Sequence, residues 1–182
     1  MTAAFQDNPF WEYSLSIYGE PGVADACIFL QDKFGLDVNL LLFCVWFAAS
    51  GRGPLEAADI DDCIKRTRDW RSRVVEPLRA IRRACRDEPL GVPEFLLQVF
   101  QPLMRDIELD AEHVEQLVLA EAIRNKPTER VAAEVGAHDA QQNLLAYIGS
   151  VGAIRDRQLD DCLRRILRAA FPGAGSGEFG QR

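Results

Sequence analysis

Residues 36–53, LDVNLLLFCVWFAASGRG, decide the fold class. From Val38 to Ala49 the only polar residue is Asn39, and the run stops at Ser50-Gly51-Arg52-Gly53. Asp37, just before it, is of the residue type that accepts hydrogen bonds from the free N–H groups of a helix start. A helix that is apolar on every side has to be covered on every side. The run is too short to cross a bilayer, which takes about 18 apolar residues or more. It therefore reads as the central helix of a bundle, about residues 38–49.

Helix signals flank it on both sides. Asn8 followed by Pro9 reads as an N-cap with proline at the first helical position, and Gly19 closes that helix. Pro21 opens a second, with Val23, Cys27, Leu30 and Phe34 on one face and Gly35 at its end. Beyond the central helix, Ile60, Cys63, Thr67, Trp70, Val74, Leu78, Ile81 and Cys85 recur at steps of three and four. That pattern predicts a long helix which Pro77 kinks or splits near Val75. Pro93 starts another, with Phe95, Val99 and Phe100 as expected core residues and Pro102 as a second kink. Asp110 is expected to cap the next, which carries Val114, Leu117, Val118 and Ile123. A short helix is predicted from Thr128 to Val135, another around Leu144, Leu145, Ile148 and Val151, and a last from about Asp156 to Ala170. No stretch alternates with period two. The fold class is all-α: a single compact helical bundle over residues 1–172, followed by a disordered tail at 173–182.

The chain has 182 residues, 48% hydrophobic and 27% charged, so it can bury a core without disulfides or metal. Its five cysteines, Cys27, Cys44, Cys63, Cys85 and Cys162, are odd in number and show no CxxC spacing. They read as reduced, buried thiols, and the first residues, MTAAFQDNPF, lack the regions of a signal peptide. The expected localisation is cytoplasmic, with no membrane association.

Charge is unevenly spread. Residues 65–86 hold nine bases (Lys65, Arg66, Arg68, Arg71, Arg73, Arg79, Arg82, Arg83 and Arg86) against Asp69 and Glu76, between two acidic regions. Arg68, Arg71, Arg79, Arg82 and Arg86 fall on one helical face, opposite the apolar stripe. Three roles suit such a face: pairing with acidic segments of the same fold, docking an acidic protein partner, or holding nucleic-acid phosphates. A net charge of −7 and a pI near 4.9 oppose a polyanion. Internal pairing ranks first, and an acidic protein partner second. Nucleic acid is not expected. Arg68, Arg79, Arg82 and Arg86 are the candidate partner-binding residues.

Gln31, Asp32, Asp37 and Asn39 are polar groups beside the most apolar helix. With Trp11 and Trp46, Gln31, Asp37 and Asn39 form the candidate ligand-binding set, a few convergent polar groups among aromatic walls. The commoner role for such residues is structural, Asp37 as an N-cap and the two amides as partners for buried helix ends. Asp106, Asp110 and His113 would share a face of a continuous helix, but a cap at Asp110 would interrupt it. Without a His-Glu-x-x-His run, no metal site is assigned. Ser50 is not in a Gly-x-Ser-x-Gly elbow, Cys44 sits in the apolar helix, and GRGP is not a phosphate loop. Catalytic residues stay unassigned and no cofactor is expected.

FWEYSLSIYGEPGVADACIFLQDKFGLDVNLLLFCVWFAASGRG, followed by WRSRVVEPLRAIRR, resembles an uncharacterised proteobacterial family of small, all-helical cytoplasmic proteins. The resemblance continues through AEHVEQLVLAEA and NLLAYI, to about Gly152. It implies a helical domain of unknown function and carries over no catalytic residue. Two function classes stay open. The first is a non-enzymatic cytoplasmic interaction or adaptor protein. The second is a small-ligand-binding protein or enzyme with a polar pocket near the central helix.

Overall fold

Asn8 accepts a hydrogen bond on its side chain from the Phe10 N–H at 3.0 Å, and helix α1 (Pro9–Tyr18) starts there. Proline fills the position whose N–H would have had no partner. Helix α2 (Val23–Phe34) ends at Gly35, whose φ of 67° is one that glycine adopts without a Cβ penalty. Asp37 then caps α3 (Val38–Ala49), accepting from the Asn39 N–H at 2.9 Å. The chain continues through α4 (Ala57–Trp70), α5 (Glu76–Asp87), α6 (Glu94–Ala122), α7 (Ala133–Ser150) and α8 (Arg157–Ala170). This computed structural model describes residues 5, 8–87, 90–129 and 132–174, and among them there is no strand. The fold class is all-α, as the periodicity predicts.

Helix α3 lies at the centre. Every residue from Asn39 to Ala48 is buried. Its main neighbour is α7, with α1, α2, α6 and α8 completing the cover. Asn143 on α7, fully buried, fastens the pair: its amide donates to the Cys44 carbonyl at 3.1 Å and accepts from the Leu55 N–H at 2.5 Å. At the far end of α3, Gly51 has φ 77° and its carbonyl accepts from the Glu129 N–H at 2.7 Å. A Cβ there would fall 1.7 Å from the Glu129 carbonyl oxygen, so only glycine lets the two strands of backbone meet.

The predicted break near Val75 is a π turn, Arg71–Val75, which joins α4 to α5 as one continuous rod. Pro77 has no N–H, and in an α-helix its ring would strike the carbonyl four residues back. Within the widened turn, the Glu76 N–H donates to the Arg71 carbonyl five residues back.

Three expectations are corrected. Asp110 is not a cap, because α6 runs unbroken from Glu94 to Ala122 and passes through Pro102. Phe95 and Val99 are each 67% exposed and Phe100 is 45% exposed, so none of the three is core. In the first half of α6 only Met104 and Glu108 are buried, whereas its second half buries Ala111, Gln116 and Leu119. The short helix predicted from Thr128 does not form at Thr128 or Glu129, and Val135 belongs to α7. Arg130, Val131 and the tail from residue 175 lie outside the described residues.

The hydrophobic core draws on every helix except α5. No described helix is long and apolar enough to cross a membrane.

Candidate functional site

Three helices turn a row of matching spacing toward one cleft of about 560 Å³. On α1 the row is Trp11, Ser14, Leu15 and Tyr18; on α5 it is Arg79, Arg82, Arg83 and Arg86. Both follow the i, i+3, i+4, i+7 spacing that places side chains on a single helical face. On α6 the row is Arg105, Glu108, Leu109 and Glu112, continued by Gln116. Ile28, Gln31 and Asp32 of α2, Val38, Asn39 and Leu42 of α3, and Asp87 at the end of α5 complete the lining. The result is an apolar and aromatic floor beside a guanidinium-rich wall.

The wall is held by carboxylates of α6. Arg79 donates to Glu108 at 3.2 Å and to Glu112 at 2.7 Å, while Arg82 donates to both oxygens of the buried Glu108. Burial raises the Glu112 carboxyl above its ordinary value, against the opposing pull of Arg79. Farther out, Arg83 reaches Asp32 across the cleft at 2.7 Å. Arg86 and Arg105 touch only their sequence neighbours Asp87 and Asp106, in exposed pairs. Deep in the cleft, Ser14 Oγ and Gln116 Oε1 are buried and have no hydrogen-bond partner.

Beneath the floor lies a buried polar network. Asn39 Nδ2 donates to Glu115 Oε2 at 2.8 Å, and Gln116 Nε2 donates to Asn39 Oδ1 at 2.9 Å. The Asp37 N–H donates to the Tyr147 hydroxyl at 2.8 Å, and Arg71 Nε stands 3.5 Å from Asp37 Oδ2. Asp37 Oδ2 and Glu115 Oε1 receive no hydrogen bond from any N–H group. A proton held on Glu115 and donated to Asp37 satisfies both. Burial, followed by the charge of Asp37, pushes the Glu115 carboxyl up to about 9.

The two residue sets read from the sequence meet here in part. Trp11, Gln31 and Asn39 line the same cleft as Arg79, Arg82 and Arg86. Asp37 stays out of it as the cap of α3, and Trp46 turns into the core, stacked on Phe10 at 4.9 Å with Arg52 over its ring. Arg68, on α4, is exposed and lies outside the cleft. The π turn explains the separation, since its extra residue rotates α4 by roughly a quarter turn relative to α5. The acidic face on α6 also divides. His113 is buried against Trp11 and Phe5, while Asp106 and Asp110 face solvent. Among the described residues no cluster of three or more His, Cys, Asp or Glu could hold a metal ion.

Sequence reasoning missed Ser14, Leu15, Tyr18, Arg105, Glu108, Glu112 and Gln116 as cleft residues. Their spacing was visible, but a helical row facing a cleft reads the same as one facing a core.

No curated protein and no solved structure matches the chain. One family model does match, over residues 9–119, which includes every residue lining the cleft from Trp11 to Gln116 and stops short of NLLAYI. With more than half of its length matched, the chain belongs to the family described as "Protein of unknown function (DUF2390)".

Proposed function

We propose that the protein is a non-enzymatic interaction module of the cytoplasm that seats an acidic, partly apolar segment of a protein partner in this cleft. The observation that carries the reading is the pairing, in a single cleft, of a guanidinium wall with a floor of half-exposed apolar side chains. Leu15, Tyr18 and Ile28 are all exposed there. The outer arginines, Arg83, Arg86 and Arg105, are held only by surface carboxylates, in pairs that contribute little against water and salt. A partner's carboxylates can exchange with them at small cost and make bidentate contacts. The five free cysteines, four of them buried, suit a reducing compartment.

The test uses a short fluorescein-labelled peptide alternating Asp or Glu with Leu and Phe, and a control with Lys in place of the acids. Fluorescence anisotropy should show binding of the acidic peptide alone, weakened by salt and by Arg83→Glu with Arg86→Glu. The thermal midpoint of that double variant should stay close to the wild type. Equal binding of both peptides, or no effect of the reversals, would sink the reading.

A small acidic amphiphile is the second reading. Its specific support is the cleft volume of about 560 Å³, within the range of roughly 300–1,000 Å³ usual for small-molecule sites. A stoichiometric bound mass in native mass spectrometry, lost on Leu15→Trp, selects it over the peptide.

A further inference from the structure

The first half of α6 carries an apolar surface that the fold leaves uncovered. Phe95, Leu96, Val99, Phe100, Leu103 and Ile107 are each between 45% and 67% exposed. They are separate from the floor of the cleft, none of them lining it. We infer that this surface is the interface of a homodimer, in which α6 of one chain crosses α6 of a second copy antiparallel about Gln101.

The spacing supports a second copy. Phe95, Val99, Leu103 and Ile107 are four residues apart, and the row is symmetric about position 101. A two-fold axis there sets Phe95 against the second copy's Ile107, and Val99 against its Leu103. Self-complementarity of this kind is what an isologous interface requires, because one patch serves both sides. Rows at a four-residue step form the ridges that interlock when two helices cross at about −50°, the commonest crossing in globular proteins. Leu96 and Phe100 lie alongside as a second row.

The area also fits. Aromatic side chains carry roughly 150–250 Å² each and the aliphatic ones somewhat less, so at these exposures the two phenylalanines and four aliphatic residues leave on the order of 600 Å² of apolar surface per chain. That is the upper end of the roughly 300–600 Å² found as the largest patch on a monomer. Doubled across a two-fold axis, it reaches the roughly 1,200 Å² at which specific interfaces begin.

Charge points the same way. Residues 95–104, FLLQVFQPLM, contain no charged residue, in a chain of net charge −7. Two copies can therefore meet along this stretch without apposing like charges, and a charged partner finds nothing there to attract it. Repulsion between the rest of the two acidic chains persists until salt screens it. Raising ionic strength from about 0.1 M to about 1 M shortens the screening length from roughly 10 Å to 3 Å. Dimerisation should strengthen over that range, opposite to the binding of an acidic segment in the cleft.

The full chain tests this by light scattering during size-exclusion chromatography, over micromolar to sub-millimolar concentrations and at both salt levels. The expected result is a mass approaching twice the 20.4 kDa of the chain, with more dimer at high salt. Val99→Asp and Leu103→Asp should each return the monomer while leaving the circular dichroism spectrum and thermal midpoint of dilute protein unchanged, because both side chains are exposed in the single chain. A mixture of Val99→Cys and Leu103→Cys chains should oxidise to the mixed disulfide dimer, identified by mass, in preference to either homodimer. A monomer at every concentration, or a dimer that survives Val99→Asp, overturns the inference. Preferential Val99→Cys homodimers overturn the register. Since the cleft and this face share no residue, each proposal can fail without the other.

Discussion

The indole of Trp11 lies flat against the imidazole of His113, ring centroids 4.1 Å apart and planes 5° from parallel. This contact joins α1 to the middle of α6 and fixes the ring that forms one edge of the cleft floor. Phe5 covers the imidazole from another side at 4.7 Å. His113 Nε2 is buried with no hydrogen-bond partner, and burial pushes the imidazole below its ordinary value of 6.5. The group facing it that favours the charged form is Asp110. Desolvation wins, and the ring is neutral in the folded protein at neutral pH.

The acid limb of stability should therefore depend on His113. The unfolded imidazole takes up its proton near pH 6.5, before the folded one does. The stability due to this group is complete above about pH 6.5 and is lost as pH falls through the lower folded value. Chemical denaturation from neutral pH downward should show a shallower loss in His113→Phe, which keeps the stacked ring and cannot protonate. Equal slopes in both proteins would rule out His113 as the source.

Glu115 acts on the opposite limb. The folded carboxyl holds its proton up to about 9, whereas the unfolded one releases it near 4.5. Stability from this group is complete below about pH 4.5 and declines as pH rises toward 9. Glu115→Gln supplies an oxygen for the Asn39 amide and an N–H for Asp37 at every pH. That variant should unfold at a higher temperature than the wild type near pH 9, and Glu115→Ala should cost about 1–3 kcal/mol through the orphaned Asn39. Parallel pH profiles of the wild type and Glu115→Gln would contradict a shared proton.

Gly51→Ala should destabilise by about 1–3 kcal/mol, because the substituted residue keeps a left-handed φ. The Cβ meets a backbone carbonyl rather than a flexible side chain, so the connection before α7 has to move as well. Gly35→Ala is the comparison: its φ is similar, but nothing lies within 4 Å of the added methyl. Thermal melts of the two variants should place Gly51→Ala lower. The reverse order would mean that the contact with Glu129 is not rigid.

The fold was more legible in the sequence than the site. Asn8-Pro9, Gly35 and Asp37 act locally, through backbone groups within a few residues, so their effect can be read without knowing the neighbours. The burial of α3 follows from apolarity on all sides, whatever packs on it. Phe95 and Val99 carry the same helical periodicity as Leu159 and Leu163, yet the first pair faces solvent and the second the core. Periodicity fixes a face and leaves open what the face meets. Asp110 misled for a related reason: aspartate suits a cap, but it is equally at home exposed in a long helix. The cleft needed α1, α5 and α6 to converge, and their separation in sequence hides that.

The arginines of α5 should divide by partner. Glu108 is buried and accepts from both Arg79 and Arg82, which are themselves mostly covered. Glu108→Ala leaves Arg82 without a carboxylate and Arg79 with Glu112 alone, and breaking a buried pair in this way costs about 3–5 kcal/mol. Partial exposure of Arg82 places the loss at the lower end. Glu108→Gln keeps an acceptor oxygen and should lose less. Arg86, in contrast, pairs only with Asp87 at the surface, so Arg86→Ala should leave the thermal midpoint where it was. In acidic-peptide binding the order reverses: Arg86→Ala weakens capture, while Glu108→Gln, once folded, retains it. On the proposed function, Glu108 is the residue that holds the wall in place and Arg86 the one that meets the partner. Denaturation and anisotropy on the same three variants separate these roles, and a stability loss in Arg86→Ala matching that of Glu108→Ala would merge them.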